Sequence, residues 1–379
     1  MHACVVDAPE AGAKFKRYLH PGPETLQPLV DKPFRVIGAM SGSSLDGLDL
    51  AVCRFPAGDR PFNIEAARTV PYPADLRRRL LEAMDAPALE AARLDRDLGR
   101  FIGEACKELM GGAGTADLVA SHGHTLYHRP EEGLTTALGH GAWIAAACGL
   151  PVVNELRSLD VALGGQGAPL VPLGERDLFP GHRAFLNLGG ICNVGLHGTD
   201  RVLGYDACIG NQALDRLAGE AGLDCDRDGA LARSGAVNEE LLATLDALPF
   251  HAQSPPRSLG REWFREAVEP LIGRTDIPLA DRLHTVVEHI AGQLAKALAG
   301  AGGPVLITGG GAHNGFLVER LRALSPVPVE LPEKDVIDFK EALVFAWLGL
   351  LRWQGRPTSL ASVTGAARDS VGGAVWLPY

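Results

Sequence analysis

Two aspartates, Asp46 and Asp49, lie among glycines and serines in the run Ile37 to Asp49, I-G-A-M-S-G-S-S-L-D-G-L-D. Glycine lets a backbone turn sharply and bring its N–H groups close to an anion. The stretch Gly42, Ser43, Ser44, Leu45, Asp46, Gly47, Leu48, Asp49 therefore reads as a phosphate hairpin, with backbone N–H groups and the Ser43 and Ser44 hydroxyls on phosphate oxygens. The two carboxylates cannot favour phosphate directly, because like charges repel. Their chemistry there is to hold Mg2+ through water, since Mg2+ keeps much of its hydration and bridges carboxylates to phosphates. An Asx-type turn is the alternative for each aspartate. Fainter echoes follow at 186–193, L-N-L-G-G-I-C-N, and at 308–312, T-G-G-G-A. Three such turns suggest a phosphate-handling cleft built from two related halves, and so an ATP-dependent enzyme. The last of them, Gly309, Gly310 and Gly311 after an apolar run, would let a nucleotide approach the backbone, although the same glycines also serve tight packing.

His122, His124 and His128 form an H-x-H-x(3)-H cluster. On a strand His122 and His124 share a face, and such a cluster can bind zinc. It supports a rival reading, a metal-dependent hydrolase acting on an amide or glycoside. No acidic or cysteine ligand lies in the same stretch. A serine hydrolase fits less well, because Gly38 to Gly42 does not spell G-x-S-x-G.

These residues must be carried by a large globular chain. Its 379 residues, 46% hydrophobic and 22% charged, suit two to three domains with sizeable cores. A formal net charge of −10 argues against nucleic-acid or anionic-membrane partners, which need a basic surface. The basic cluster Arg77-Arg78-Arg79 reads as the solvated face of a helix. The 7 cysteines are scattered with no C-x-x-C pair, which fits free thiols in a reducing compartment. No apolar run reaches the roughly 18 residues of a membrane span, and the N-terminus lacks a signal-peptide pattern. A cytoplasmic location is expected.

Residues 1–33 contain several prolines without periodicity and read as an extension. Organised structure begins with a hairpin, 34–38 and 48–53, followed by helices over 74–84 and 88–110. A short strand at 117–120 delivers His122, a helix covers 142–148, and a strand at 151–153 runs into 154–160. The second half repeats the order: strands at 184–188, 191–196 and 202–205, then helices at 211–221, 239–247, 261–268 and 279–298. A buried strand at 305–308, a helix at 315–324, a strand at 327–331 and an apolar helix at 340–351 complete it. Strand-rich openings with helices packed on the sheets are α/β in class.

The run Gly38 to Asp49 resembles the signature G-x-M-S-G-T-S-x-D-G-x-D of anhydro-N-acetylmuramic acid kinases, members of the sugar kinase, Hsp70 and actin superfamily. Ser121-His122-Gly123 with His128-Arg129-Pro130 resembles the family's S-H-G-Q-T…H-x-P. Arg157 to Pro172 is similar to R-x-x-D-x-A-x-G-G-Q-G-A-P-L-V-P almost letter for letter. The series continues through 187–191, 226–229, 258–262, 308–314, 340–346 and 363–365, and covers residues 35 to 379. Ser43 stands where threonine is usual, and His124 where glutamine is. The run 205–211, Y-D-A-C-I-G-N, replaces F-D-x-G-P-G-N and puts bulk near the expected nucleotide turn. His140 is also unusual.

The resemblance implies two actin-like (ribonuclease H-like) lobes with the active-site cleft between them, the first formed by 34–172 plus 340–379 and the second by 173–339. It implies an enzyme that cleaves the 1,6-anhydro bridge of anhydro-N-acetylmuramic acid with water and phosphorylates O6, using ATP and Mg2+, in peptidoglycan recycling. Asp160 matches the catalytic aspartate, a base for water; read alone it is a loop aspartate capping a turn before Gly164-Gly165. His122, Arg157, Gln166 and Glu341 fall at sugar-contacting positions. Read alone, Glu341 is a solvent-facing residue opening a helix, favoured there by the helix dipole. Gly189, Gly190 and Asn211 join Gly309 to Gly311 around the nucleotide. A homodimer is compatible with the resemblance. A non-catalytic, nucleotide-binding actin-like switch is the other alternative, against which Asp160 and the Gly-Gly-Gln-Gly loop argue.

Overall fold

The computed structural model describes residues 33–42, 45–56, 61–198, 202–255 and 257–378. The expected extension, residues 1–33, lies outside them apart from Pro33.

Strands β1 (Phe34–Ser41), β2 (Leu48–Phe55) and β3 (Asn63–Val70) form an antiparallel meander. Helices α1 (Ala74–Leu81) and α2 (Ala88–Ala113) follow, then β4 (Leu118–Ser121), a separate hairpin of β5 (His124–Arg129) and β6 (Leu134–Leu138), α3 (Gly141–Cys148) and β7 (Val152–Asn154). Two helices, α4 (Ser158–Ala162) and α5 (Val171–Leu178), lead to a second meander, β8 (Ala184–Leu188), β9 (Ile191–His197) and β10 (Val202–Ile209). Next come α6 (Asn211–Ala218), α7 (Ala230–Arg233), α8 (Glu239–Asp246), α9 (Arg261–Trp263), α10 (Glu269–Ile272) and α11 (Leu279–Ala297). The chain closes with β11 (Val305–Thr308), α12 (Gly315–Leu324), β12 (Val329–Glu330), α13 (Lys334–Trp353), α14 (Ala361–Thr364) and β13 (Ala374–Trp376).

The strands make two large sheets, one of 6 in the order β13-β7-β4-β1-β2-β3 and one of 5 in the order β10-β9-β8-β11-β12. In each, an antiparallel meander is extended from its first strand by parallel neighbours, β4 beside β1 and β11 beside β8. The α/β, two-lobed architecture expected from the repeated element order is therefore present, each lobe built on one sheet.

Alternation along the strands decides what each face of the first sheet covers. Ile37, Leu50, Val52 and Val119 pack with Leu94, Leu98 and Ile102 of α2. Val36, Ala51, Cys53, Leu118 and Ala120 pack with Leu343, Phe345 and Leu350 of α13. That helix lies so close to β1 that a Cβ on Gly38 would collide with the Ala342 carbonyl oxygen. The second sheet has its own core, in which Leu186, Val194 and Ile307 meet Leu283, Val287 and Ile290 of α11.

Several expectations need correcting. The strands β3, β5, β6 and β13 and the helix α5 were not anticipated. Residues 155–160 do not continue β7: the strand ends at Asn154 and the chain turns into α4, which carries Asp160. The last long helix begins at Lys334, not Lys340, and bends at Phe339 (φ −123°, ψ 21°). Glu341 is thus an interior residue just past a kink rather than an N-terminal one. The bulk expected near 205–211 turns inward, since Cys208 and Ile209 are buried in the second core. Of the cysteines among the described residues, Cys53, Cys106, Cys148, Cys192, Cys208 and Cys225 are all free thiols. The run 226–229 is a capping device, with Asp226 accepting from Leu231 and Ala232 N–H groups and Asp228 from Gly315.

Candidate active site

Strands β1 and β2 pair from Phe34↔Phe55 to Ser41↔Leu48, so the chain reverses between Ser41 and Leu48. Ser43 and Ser44 lie outside the described residues. Leu45 adopts φ 54° with its side chain buried, its N–H donating to Gly42 O at 3.3 Å. Arg77, expected on a purely solvated face, donates from Nε to Leu45 O at 3.0 Å and braces the turn. Gly47 and Leu48 are buried, which leaves Asp46 exposed and Asp49 partly so. Thr69 of β3 donates to Asp49 Oδ1 at 2.6 Å. Burial raises the Asp49 carboxyl; the Thr69 hydrogen bond opposes this, and the charges of Asp46 and Asp338 add to it. Crowded carboxylates of this kind are what a divalent cation relieves. Among the described residues no group of three metal-binding side chains is gathered. Two carboxylates with water in between suit Mg2+, which rarely uses an all-protein cage.

In the second lobe the expected nucleotide residues converge. Gly189 and Gly190 form the β8–β9 turn, and their carbonyls accept from Asn211 N–H (2.9 Å) and Gly210 N–H (2.9 Å), which docks the start of α6 on the turn. Asn211 Nδ2 donates to Leu188 O at 3.2 Å. Gly309 has φ 85°, a conformation that side-chain-bearing residues rarely adopt, and its N–H reaches Ile337 O at 3.3 Å. A Cβ on Gly311 would meet Asn211 Oδ1 at 2.8 Å and Leu188 O at 2.9 Å. Gly310 and Gly190 differ. A Cβ on Gly310 meets nothing nearer than Asn211 Nδ2 at 3.6 Å, and one on Gly190 nothing nearer than Gln212 Cβ at 3.8 Å. Packing does not require glycine at these two exposed positions, so their bareness is available to a ligand.

Asp160 is 0% exposed. Its Oδ2 accepts from Gly167 N–H at 2.8 Å and its Oδ1 from the Thr364 hydroxyl at 2.8 Å. The turn 164–167 is fastened over it, with Gly165 N–H on Asp160 O at 2.9 Å and Gln166 N–H on Thr364 O at 2.8 Å. The side chain of Gln166 is exposed. Arg157 ties the same turn from below, donating from Nη1 to Gly167 O at 2.7 Å.

Arg157 also contacts His122, whose Nε2 lies 3.2 Å from Nε and 2.9 Å from Nη2. A guanidinium has only donors, so Nε2 accepts, and the proton sits on Nδ1, which donates to Gly123 O at 2.9 Å. Burial, reinforced by Arg157, lowers the His122 imidazole to about 3. Burial lowers Arg157 as well, partly offset by Glu341. Glu341 is open to solvent on its surface. Its carboxyl is nevertheless raised by burial, with Lys340 and Arg157 opposing and Asp49 and Glu175 adding. A solvent-reaching group that feels dense protein around it belongs on the wall of a concavity. Arg157 and Asp49 lie near enough for their charges to act on Glu341.

The zinc reading of the histidines fails on their donors. His122 uses both ring nitrogens, and it lies in the loop before β5 rather than on a strand face with His124. His124 Nδ1 is 3.1 Å from Ser41 Oγ, and His128 Nδ1 is 3.2 Å from Thr135 Oγ1. Residues that sequence reasoning left without a role are Thr364, which holds Asp160, and Ser41, whose Oγ beside His124 Nδ1 pins the entry to the hairpin. Thr364 stands in the Val363-Thr364-Gly365 match, the one signal that could have found it.

Comparison with known proteins follows the same lines. The sequence profile described as "Anhydro-N-acetylmuramic acid kinase" matches residues 34–378. Relatives called anhydro-N-acetylmuramic acid kinase include one from Gloeobacter violaceus, 36% identical over 366 residues (89% of this chain, 97% of that protein). One from Pseudomonas paraeruginosa is 36% identical over 364 residues (90% and 98%), and one from Rhodospirillum rubrum 37% over 357 residues (90% and 93%). Matched from its first strand to its last, the chain belongs to the anhydro-N-acetylmuramic acid kinase family.

Proposed function

We propose that the protein is an ATP-dependent sugar kinase that opens the 1,6-anhydro bridge of anhydro-N-acetylmuramic acid and phosphorylates O6, giving N-acetylmuramic acid 6-phosphate and ADP in peptidoglycan recycling. Water adds at C1, the C1–O6 bond breaks, and O6 takes the γ-phosphoryl group as ADP leaves. The observation that carries this reading is Asp160, a carboxylate held by Gly167 and Thr364 beneath a glycine-rich turn and next to the Arg157–His122 pair. Asp160 takes the proton from water. Because it is fully buried, the turn 164–167 moves aside to admit water and sugar, and its return excludes bulk solvent. Arg157, His122, Gln166 and Glu341 bind the sugar.

Gly42 to Asp49, Gly189, Gly190, Asn211 and Gly309 to Gly311 hold ATP, with bare backbone at Gly190 and Gly310 as the contact surface. Asp46 and Asp49 would hold Mg2+ through water; when bound, the ion neutralises charge that develops on the phosphates. No helix among the described residues is long and apolar enough to cross a membrane, and we place the enzyme in the cytoplasm with its sugar.

The test is ADP release with anhydro-N-acetylmuramic acid, with ordinary N-acetylmuramic acid and without sugar. Release that depends on the anhydro sugar is expected. Equal release in all three overturns the reading in favour of a nucleotide switch.

A further inference from the structure

Three buried polar side chains, none of them placed in the reaction above, meet where the two lobes join. Glu175 of α5 is 4% exposed and Lys340 of α13 is 7%. Lys340 Nζ donates to Glu175 Oε1 at 2.8 Å, and His197 Nε2, at the end of β9, donates to Glu175 Oε2 at 3.0 Å. The rings of Phe185 and His197 pack beside them, tilted by 52° with centroids 4.8 Å apart, and Lys340 Nζ lies 5.8 Å from the Phe185 ring. One carboxylate thus joins the last helix before the second sheet, a strand of that sheet and the helix that returns from it.

Lys340 is the first residue after the bend at Phe339. Before the bend, α13 belongs to the nucleotide side: Ile337 O accepts from Gly309 N–H at 3.3 Å, and Asp338 pairs with His313. After it, α13 lies on the first sheet and presents Glu341 to the sugar side. A helix interrupted between its two attachments needs something to fix the angle at the break. A carboxylate with both oxygens engaged by donors from two other elements does that with direction, which apolar packing does not.

Resting on the functional reading above, we propose that Glu175, Lys340 and His197 form a fulcrum that fixes the bend of α13 and so couples nucleotide binding at Gly309 to sugar binding at Glu341. These are positioning residues. The coupling is a linkage between two sites and must appear as a change in one ligand's affinity when the other is present.

The experiment is calorimetry on the full chain with anhydro-N-acetylmuramic acid, with and without the β,γ-imido analogue of ATP in magnesium buffer. In the wild type the analogue should tighten sugar binding about fivefold or more. The paired variant Lys340→Met with Glu175→Gln removes both charges and avoids leaving one buried alone. In it the ratio should fall below about twofold while each ligand alone binds within about threefold of wild type. Lys340→Arg, which keeps the charge, should retain most of the ratio. A full ratio in the folded paired variant overturns the proposal, as does parallel loss of both single affinities, which marks a merely structural role. Absence of any ratio in the wild type also overturns it. Failure of either ligand to bind the wild type overturns the functional reading itself, and is separately visible.

Discussion

The hydroxyl of Thr364 donates to Asp160 Oδ1 at 2.8 Å across 204 residues of chain. Together with the Gly167 N–H it fixes the carboxylate in one orientation, which is what a base acting on a positioned water requires. Asp160→Asn can keep both neighbours, because its amide oxygen can accept from Gly167 and its NH2 can donate to the threonine oxygen. The variant should therefore fold and bind ATP while losing roughly 10²-fold or more in turnover. Near wild-type ADP release from the purified variant would remove Asp160 from the mechanism.

Gly310 and Gly311 are neighbours with opposite expectations. A side chain at Gly311 meets Asn211 and Leu188 at 2.8–2.9 Å, so Gly311→Ala should cost about 1–3 kcal/mol of stability. At Gly310 nothing lies nearer than 3.6 Å, so Gly310→Val should change stability by about 0.5 kcal/mol or less yet weaken ATP about tenfold or more. Thermal melts and ATP titration of the two variants check both halves. A Gly310→Val protein that binds ATP normally would show that the exposed glycine faces no ligand.

His122 makes the folded state sensitive to mild acid. Its ordinary value is 6.5 and its folded value about 3, so over that interval the unfolded chain takes up a proton that the folded chain refuses. Its share of stability is full above 6.5 and is lost as pH falls towards 3, at up to about 1.4 kcal/mol per pH unit. Melting temperature should drop between about pH 7 and about pH 5, and His122→Gln should flatten that slope. Identical slopes in the two proteins would assign the acid sensitivity elsewhere.

Glu341 should act as an acceptor for a sugar hydroxyl. Its raised carboxyl gains a proton earlier than an ordinary glutamate as the solution acidifies, so the KM for sugar should rise on the acid side of neutrality. Glu341→Gln should raise that KM about tenfold or more at neutral pH and remove its acid dependence, with the KM for ATP unchanged. A KM for sugar that still climbs with acid in the glutamine variant would place the titrating group on another residue.

The parts legible in the sequence were those with a local signal. Glycines and aspartates at a hairpin announce a backbone role, and apolar periodicity marked α2 and α11. What escaped lacked such a signal. Helix α5 contains Pro172 and Gly174, which read as breakers. Pro172 sits in the first turn, where its missing N–H has no intrahelical partner to lose, and a Cβ on Gly174 would meet Val344 Cγ1 of α13 at 2.7 Å. The edge strand β3, N-I-E-A-A-R-T-V, breaks its polar–apolar alternation at Ala66-Ala67, opposite the irregularity at Val52/Cys53. The Asp160–Thr364 contact and the Glu175–Lys340–His197 cluster join segments far apart in the chain, and no residue spacing reports them. Glu341 was placed at a helix start because the bend at Phe339 separates two helical segments with different faces.

The position of α13 also sets an order of events during synthesis. One face of the first sheet, with Val36, Ala51, Cys53 and Leu118, is covered by residues 342–351, which leave the ribosome after the whole second sheet has been made. The β13 strand that completes its edge comes later still. The lobe that begins first therefore finishes last, and it waits with an apolar sheet face uncovered for some two hundred residues of elongation, on the order of 10–40 s at usual translation rates. That waiting face is the natural substrate for a chaperone on the nascent chain, and a truncation between residues 331 and 341 leaves the early lobe unfinished while the later one has all its own strands.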